Sequence, residues 1–286
     1  MRIIKKIIKI IFSAILTISI LLYILINLLS STILKESYIL SKLDQANFYQ
    51  KVYEEVNSNF EKYIYQSGFD ENVLNNVITE EKVKEDFKII IDNIYNGTNQ
   101  DINTETIKTN LTNNINSQLG ANVSKTQQNS IDSFVDTILN EYTQTILHTQ
   151  YENKINKAYT QINKYINLAN KALLIIMAVL IILLILLNLK RLYRGVSYIG
   201  ISMLSSGILL CIADIFIKMK VDIKNIVILN DTISKIIINV ITELLANILK
   251  DGIILLVSGI VLIIIANLRR AYKKYKYEQS KYNAED

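Results

Sequence analysis

With 286 residues, one histidine, one cysteine and neither proline nor tryptophan, the chain has no means of forming an intrachain disulfide or a cage of histidine ligands. Half of its residues are hydrophobic and its formal net charge is +5; the positive excess lies beside long apolar runs, which suits an anionic lipid surface better than nucleic acid. No P-loop, dinucleotide fingerprint, kinase signature or HExxH stretch occurs, so the sequence points to no enzyme and to no cofactor.

Apolar runs at residues 7–29, 172–189, 196–217 and 253–268 approach the ~17–25 residues that a helix needs to cross ~30 Å of hydrocarbon. Lipid offers no water to backbone amides, so a segment that crosses singly must be a helix with internally closed hydrogen bonds. The expected fold is all-α: a polytopic membrane protein with four transmembrane helices and a helical extracytoplasmic domain between the first and second. In chain order, Arg2, Lys5, Lys6 and Lys9 assign residues 1–6 to the cytoplasm, because basic side chains are held on that side during insertion. Residues 7–29 outlast the ~7–15 residue core of a secretory signal, and Leu29, Ser30, Ser31 and Thr32 offer no A-x-A cleavage site. The run reads as an uncleaved anchor.

Residues 30–171 hold 18 Asp and Glu against 13 Lys and no Arg, which places them outside the cytoplasm. Phe48, Val52, Val56, Phe60, Tyr63 and Ile64 form a helical stripe that Gly68 terminates. Asp70 caps a short helix, and Thr79 caps another whose first turn carries Glu80 and Glu81. That second helix extends through Val83, Phe87, Ile90, Ile91, Ile94 and Tyr95 to the Asn96, Gly97 pair. Residues 96–130 are rich in Asn, Thr, Gln and Ser and read as a weak helix flanked by mobile loops. From Ile131 a longer pattern runs through Phe134, Val135, Ile138, Leu139, Tyr142 and Ile146 to Ile166, and continues into the second membrane helix. Paired with the Phe48 stripe, it makes a mast with its tip near residues 96–125.

After the second span (172–189), Lys190, Arg191 and Arg194 occupy a tight cytoplasmic turn at 190–195, before the third span at 196–217. The outer loop, 218–252, carries an amphipathic stripe of Ile233, Ile236, Ile237, Val240, Ile241, Leu244, Leu245, Ile248 and Leu249. Such a stripe docks on protein or lies in the lipid interface. The fourth span (253–268) leads to a cytoplasmic tail, 269–286, with Arg269, Arg270, Lys273, Lys274 and Lys276. Both termini are therefore expected inside a multi-pass protein of the cell membrane.

Asp214, the one acid clearly within an apolar run, is a candidate intramembrane polar site because a buried charge there is expensive; Lys218, four residues on, can pair with it. Gly200 and Gly207 in the third span, and Gly252, Gly259 and Ala266 in the fourth, recur every seven residues. Small residues on one face let helix backbones approach in lipid, so these two faces are expected to meet as an antiparallel seam. His148 reads as a solvated helix position. Asp92, Asn96 and Gly97 resemble part of a calcium loop, but Ile94 and Asn103 stand where ligands are required, and no metal site is assigned. Asn96 and Asn110 begin sequons of little weight in an Asn-rich chain. Tyr272, Tyr275, Tyr277 and Tyr282 alternate with Lys as lipid-interface residues do. The partners expected are the lipid bilayer and a protein or a second copy of the chain, and no nucleic acid. The function these features suit is non-enzymatic: an interaction or structural protein that presents its outer domain to a partner or envelope component. A transporter subunit or membrane-bound sensor using Asp214 is the alternative.

Overall fold

Without proline to remove backbone donors, nearly every segment closes into helix. The structure, a computed structural model, describes residues 2–120, 124–146, 149–226 and 231–282; His148 lies outside the described residues. Among those described there is no strand. The helices are α1 (Arg2–Ser31), α2 (Glu36–Gln45), α3 (Phe48–Ser67), α4 (Glu80–Asn96), α5 (Glu105–Leu119), α6 (Lys125–Ile146), α7 (Thr149–Leu186), α8 (Leu192–Lys220) and α9 (Asp231–Tyr282). Single 3₁₀ turns occupy Glu71–Leu74, Leu189–Arg191 and Ile223–Asn225.

Four stretches are long and apolar enough to cross a membrane: Ile3–Ser31, Asn156–Leu186, Leu189–Lys220 and Thr232–Ser280. All four differ in extent from the apolar runs, the second and fourth most. The second run begins within α7, which starts at Thr149, and its last three residues lie beyond the end of that helix at Leu186. The amphipathic stripe and the fourth run, read from sequence as a loop helix and a separate span, share the single 52-residue helix α9. At 1.5 Å per residue that helix is about 78 Å long, more than twice the hydrocarbon thickness. Gly252 is a helical position within α9 that faces α8.

The chain divides into two compact units, one comprising Met1–Thr32, Lys164–Val227 and Ile237–Asp286, the other Ile33–Asn163 and Ile228–Ile236. In the second unit, local signals set the helix ends. Gly68 and Gly97 adopt the left-handed conformation, with φ of 76° and 68°, which closes α3 and α4 at positions where a Cβ would be strained. The Asp70 carboxylate accepts from the Asn72 amide (2.9 Å) and starts the first 3₁₀ turn. The Thr79 hydroxyl accepts from the Lys82 amide (3.2 Å) at the start of α4.

The core of this unit joins α3, α4, α5 and α6. Val56, Phe60 and Ile64 from α3 and Val83 from α4 meet Val135, Ile138 and Tyr142 from α6. Ile107, Leu111 and Ile115 of α5 belong to the same core and are fully buried. The helix expected within 96–130 is therefore present as α5, and its widely spaced apolar residues belong to the core. One apolar residue per turn suffices for α5, because its asparagines secure the neighbouring turn. Asn110 donates to the Asn76 carbonyl (3.0 Å), and Asn114 donates to those of Val73 (2.9 Å) and Asn75 (2.8 Å). The segment after α4 is also held. The buried Asn93 amide donates to the Gln100 carbonyl (2.9 Å) and accepts from the Thr98 hydroxyl (2.7 Å) and the Gln100 amide (3.0 Å).

Candidate functional site

In the first unit α8 is the helix on which the others converge. Its buried residues include Gly195, Gly200, Ser202, Ser206, Gly207, Leu210 and Asp214, a set dominated by small side chains. Each group of small residues admits a different neighbour. A Cβ placed on Gly195 would lie 3.0 Å from the Leu184 carbonyl of α7.

The glycine series at seven-residue spacing lies where α8 meets α9. A Cβ on Gly207 would stand 2.6 Å from the Gly252 carbonyl oxygen and 2.7 Å from the Leu256 amide nitrogen. One on Gly259 would stand 2.6 Å from the Leu204 amide nitrogen and 2.7 Å from the Gly200 carbonyl oxygen. Gly200 thus faces Gly259, and Gly207 faces Gly252, so position rises along one helix as it falls along the other: the pair is antiparallel. Ala266 is fully buried. Such proximity of backbones supplies dispersion contacts, which are the main attraction between helices wherever the solvent is as apolar as their side chains.

Toward α1 the contact is polar. Ser13 and Ser202 hydroxyl oxygens lie 2.8 Å apart, Ser202 donates to the Ser13 carbonyl (2.9 Å), and Ser206 donates to the Thr17 carbonyl (3.0 Å). Sequence reasoning missed this ladder, although Ser13 and Thr17, and Ser202 and Ser206, are each four apart and so share a helix face. Leu16 packs beside it against Leu180 and Leu184 of α7. At one end Lys9 donates to the Asn188 side-chain oxygen (2.6 Å), while the Asn188 amide donates to the Leu184 carbonyl (2.7 Å).

Asp214 is 2 % exposed, one heptad beyond Gly207. The Lys218 ammonium makes a hydrogen bond to Oδ2 at 2.9 Å and stands 2.8 Å from Oδ1. The contact with Oδ1 is ionic without hydrogen-bond geometry. Lys218 is half exposed, so the pair joins a buried anion to a cation with access to the surroundings.

The second unit has a buried carboxylate of its own. Asp86, 0 % exposed, pairs with Lys82 and accepts from the Tyr142 hydroxyl. Burial, and then the bond to Asp86, push the Tyr142 phenol far above its usual range, and burial raises Tyr49 and Tyr95 to about 12. This network was not read from the sequence, where Asp86 is one acid among many. On the surface of the unit, Tyr65 is 88 % exposed beside a cleft of about 460 Å³ bordered by Gly68, Phe69, Asp70 and Glu71. Among the described residues no three His, Cys, Asp or Glu side chains come together to hold a metal ion. No protein-family model, characterised protein or solved structure matches the chain.

Proposed function

We propose that the protein is a multi-pass protein of the cell membrane that catalyses no reaction and presents the helical domain of residues 30–171, outside the cytoplasm, to a protein partner or a second copy of itself. The observation that carries this reading is how the apolar unit spends its buried polar groups. Ser13, Ser19, Thr32, Asn188, Ser202, Ser206 and Asp214 all bond within the unit, so they close helix contacts, as an anchor requires. The alternation of basic flanks supports the orientation. In the domain, a nearly bare tyrosine in the last turn of α3 offers the kind of anchor that dominates protein interfaces.

The alternative is ion or solute transport, favoured by the near-complete burial of Asp214 and by its Oδ1, which has no hydrogen bond. Two substitutions separate the readings. Deleting 96–125 would not, since it removes the core residues Ile107, Leu111 and Ile115. Tyr65→Ala should weaken partner capture in native membranes by about tenfold or more, measured by crosslinking from a photoreactive residue at Glu71. Asp214→Asn should leave capture unchanged. Flux into liposomes that carry the wild-type protein, lost on Asp214→Asn, would replace this reading with the alternative.

A further inference from the structure

Basic side chains at one end of the apolar unit do more than border it. Lys5, Lys6 and Lys9 of α1 and Arg194 of α8 line a single cleft of about 730 Å³, with no acidic residue among its described lining. Tyr198 and Ile201 form part of its wall. The same two residues also line a second groove of about 480 Å³, which runs on between α1 and α8 past Ile10, Ala14 and Ile18. A cationic chamber therefore opens into an apolar channel along one helix pair.

We infer that this composite site binds one anionic phospholipid, with its phosphate among Lys5, Lys6, Lys9 and Arg194 and one acyl chain in the groove over Ala14. Four cations lining one cleft, with no acidic residue among its described lining, favour an anion that offsets their repulsion. A phosphodiester offers several acceptor oxygens to Lys and Arg donors, and basic pockets between membrane helices suit such headgroups. The groove decides between a free anion and a lipid, because a small phosphate has no use for an apolar channel. Its walls are mostly side-chain carbon, and Ala14 is exposed, so a hydrocarbon chain meets both helices without displacing their contact. A second basic cleft of about 780 Å³, lined by Lys190, Arg191, Arg194, Arg270, Lys273 and Lys274, shares no wall residue with this groove and is not assigned a lipid.

The test uses the full-length protein in phosphatidylcholine liposomes with a trace of spin-labelled phosphatidylglycerol or spin-labelled phosphatidylcholine, and reads the motionally restricted fraction of each probe. The wild type should prefer phosphatidylglycerol by at least about tenfold. Joint replacement Lys5→Gln, Lys9→Gln and Arg194→Gln should abolish the preference. Arg269→Gln, Lys276→Gln and Lys281→Gln remove the same number of charges from the tail, where Arg269 and Lys276 line neither cleft, and should leave it within about twofold. Ala14→Phe fills the groove from an exposed position, so it tests the site even if the cleft variant fails to reconstitute; it should also abolish the preference. An equal loss in the tail variant would show diffuse surface attraction and overturn the site. Displacement of the probe by soluble glycerol phosphate, with Ala14→Phe behaving as wild type, would leave an anion pocket without an acyl chain and overturn the lipid.

Discussion

Gly207→Leu is expected to part α8 from α9 and to lower the stability of the apolar unit more than any other single change in it. The atoms that a Cβ at this position would meet are the Gly252 carbonyl oxygen at 2.6 Å and the Leu256 amide nitrogen at 2.7 Å. Both are backbone, so they cannot swing aside as the end of a side chain can. The helices must separate, and with them go the dispersion contacts along the whole seam. Overpacking of a well-filled interior costs roughly 1–3 kcal/mol, which sets the scale for Gly207→Ala; the leucine exceeds it. Gly259→Ala, whose Cβ would stand 2.6 Å from the Leu204 amide nitrogen, should behave like Gly207→Ala. Ala213→Leu is the comparison, since Ala213 lies on the exposed side of α8 and should shift stability by no more than about 0.5 kcal/mol. Unfolding by SDS in mixed micelles measures all four. Coincident curves for Gly207→Leu and Ala213→Leu would mean that no seam exists.

Asp86→Ala should be the most damaging substitution in the second unit. It strands the Tyr142 hydroxyl inside the core and removes the charge that Lys82 is drawn toward. Breaking a buried pair by deleting one partner costs about 3–5 kcal/mol. Tyr142→Phe is milder, because Lys82 still serves the carboxylate; leaving one acceptor short costs about 1–3 kcal/mol. The pair also has a pH signature. Tyr142 stays neutral in the folded chain well above pH 10, whereas the unfolded chain ionises its tyrosines near 10.0. Above pH 10 the unfolded state therefore binds fewer protons than the folded one, and stability falls as pH rises. Below pH 10 this contribution is intact. Tyr49 and Tyr95, raised to about 12, add to the same alkaline slope. Thermal unfolding of the full-length protein, followed by circular dichroism between pH 8 and 12, should show the slope reduced in Tyr142→Phe. An unaltered slope would remove Tyr142 from the account.

What the sequence disclosed and what it hid follow from the range of the interactions involved. Helix ends at Gly68, Asp70, Thr79 and Gly97 were legible because capping acts within three or four residues, and the structure places a left-handed glycine or a capping oxygen at each. The four apolar stretches were legible because lipid imposes length and composition on a single segment. Spacing alone singled out Gly200, Gly207, Gly252 and Gly259, and the coordinates add which backbone each one meets. Hidden features depend on pairs distant in sequence. Asp86 and Tyr142 are 56 positions apart and Ser13 and Ser202 are 189 apart, so helical spacing can place Tyr142 or the serines on a face but cannot name their partners. Helix α5 was legible as a helix, but how firmly it is held was not. Asparagine signals a loop when its side chain bonds its own backbone, but Asn110 and Asn114 bond the turn at residues 73–76 instead. The unbroken course of α9 was not legible because an amphipathic stripe and a wholly apolar run read as two elements, whereas both continue through one helix.

The account as a whole rests on the chain crossing a bilayer four times with residues 30–171 outside, and labelling of single cysteines measures this most directly. In a Cys211→Ala background, cysteine would replace Lys125, Arg191, Lys235 or Lys276 in turn, and intact cells would be treated with a membrane-impermeant maleimide. The positions at 125 and 235 should label at once, and those at 191 and 276 only after the membrane is opened. Labelling of 191 or 276 on sealed cells, or protection of 125, would contradict the topology and remove the basis for a partner outside the cytoplasm.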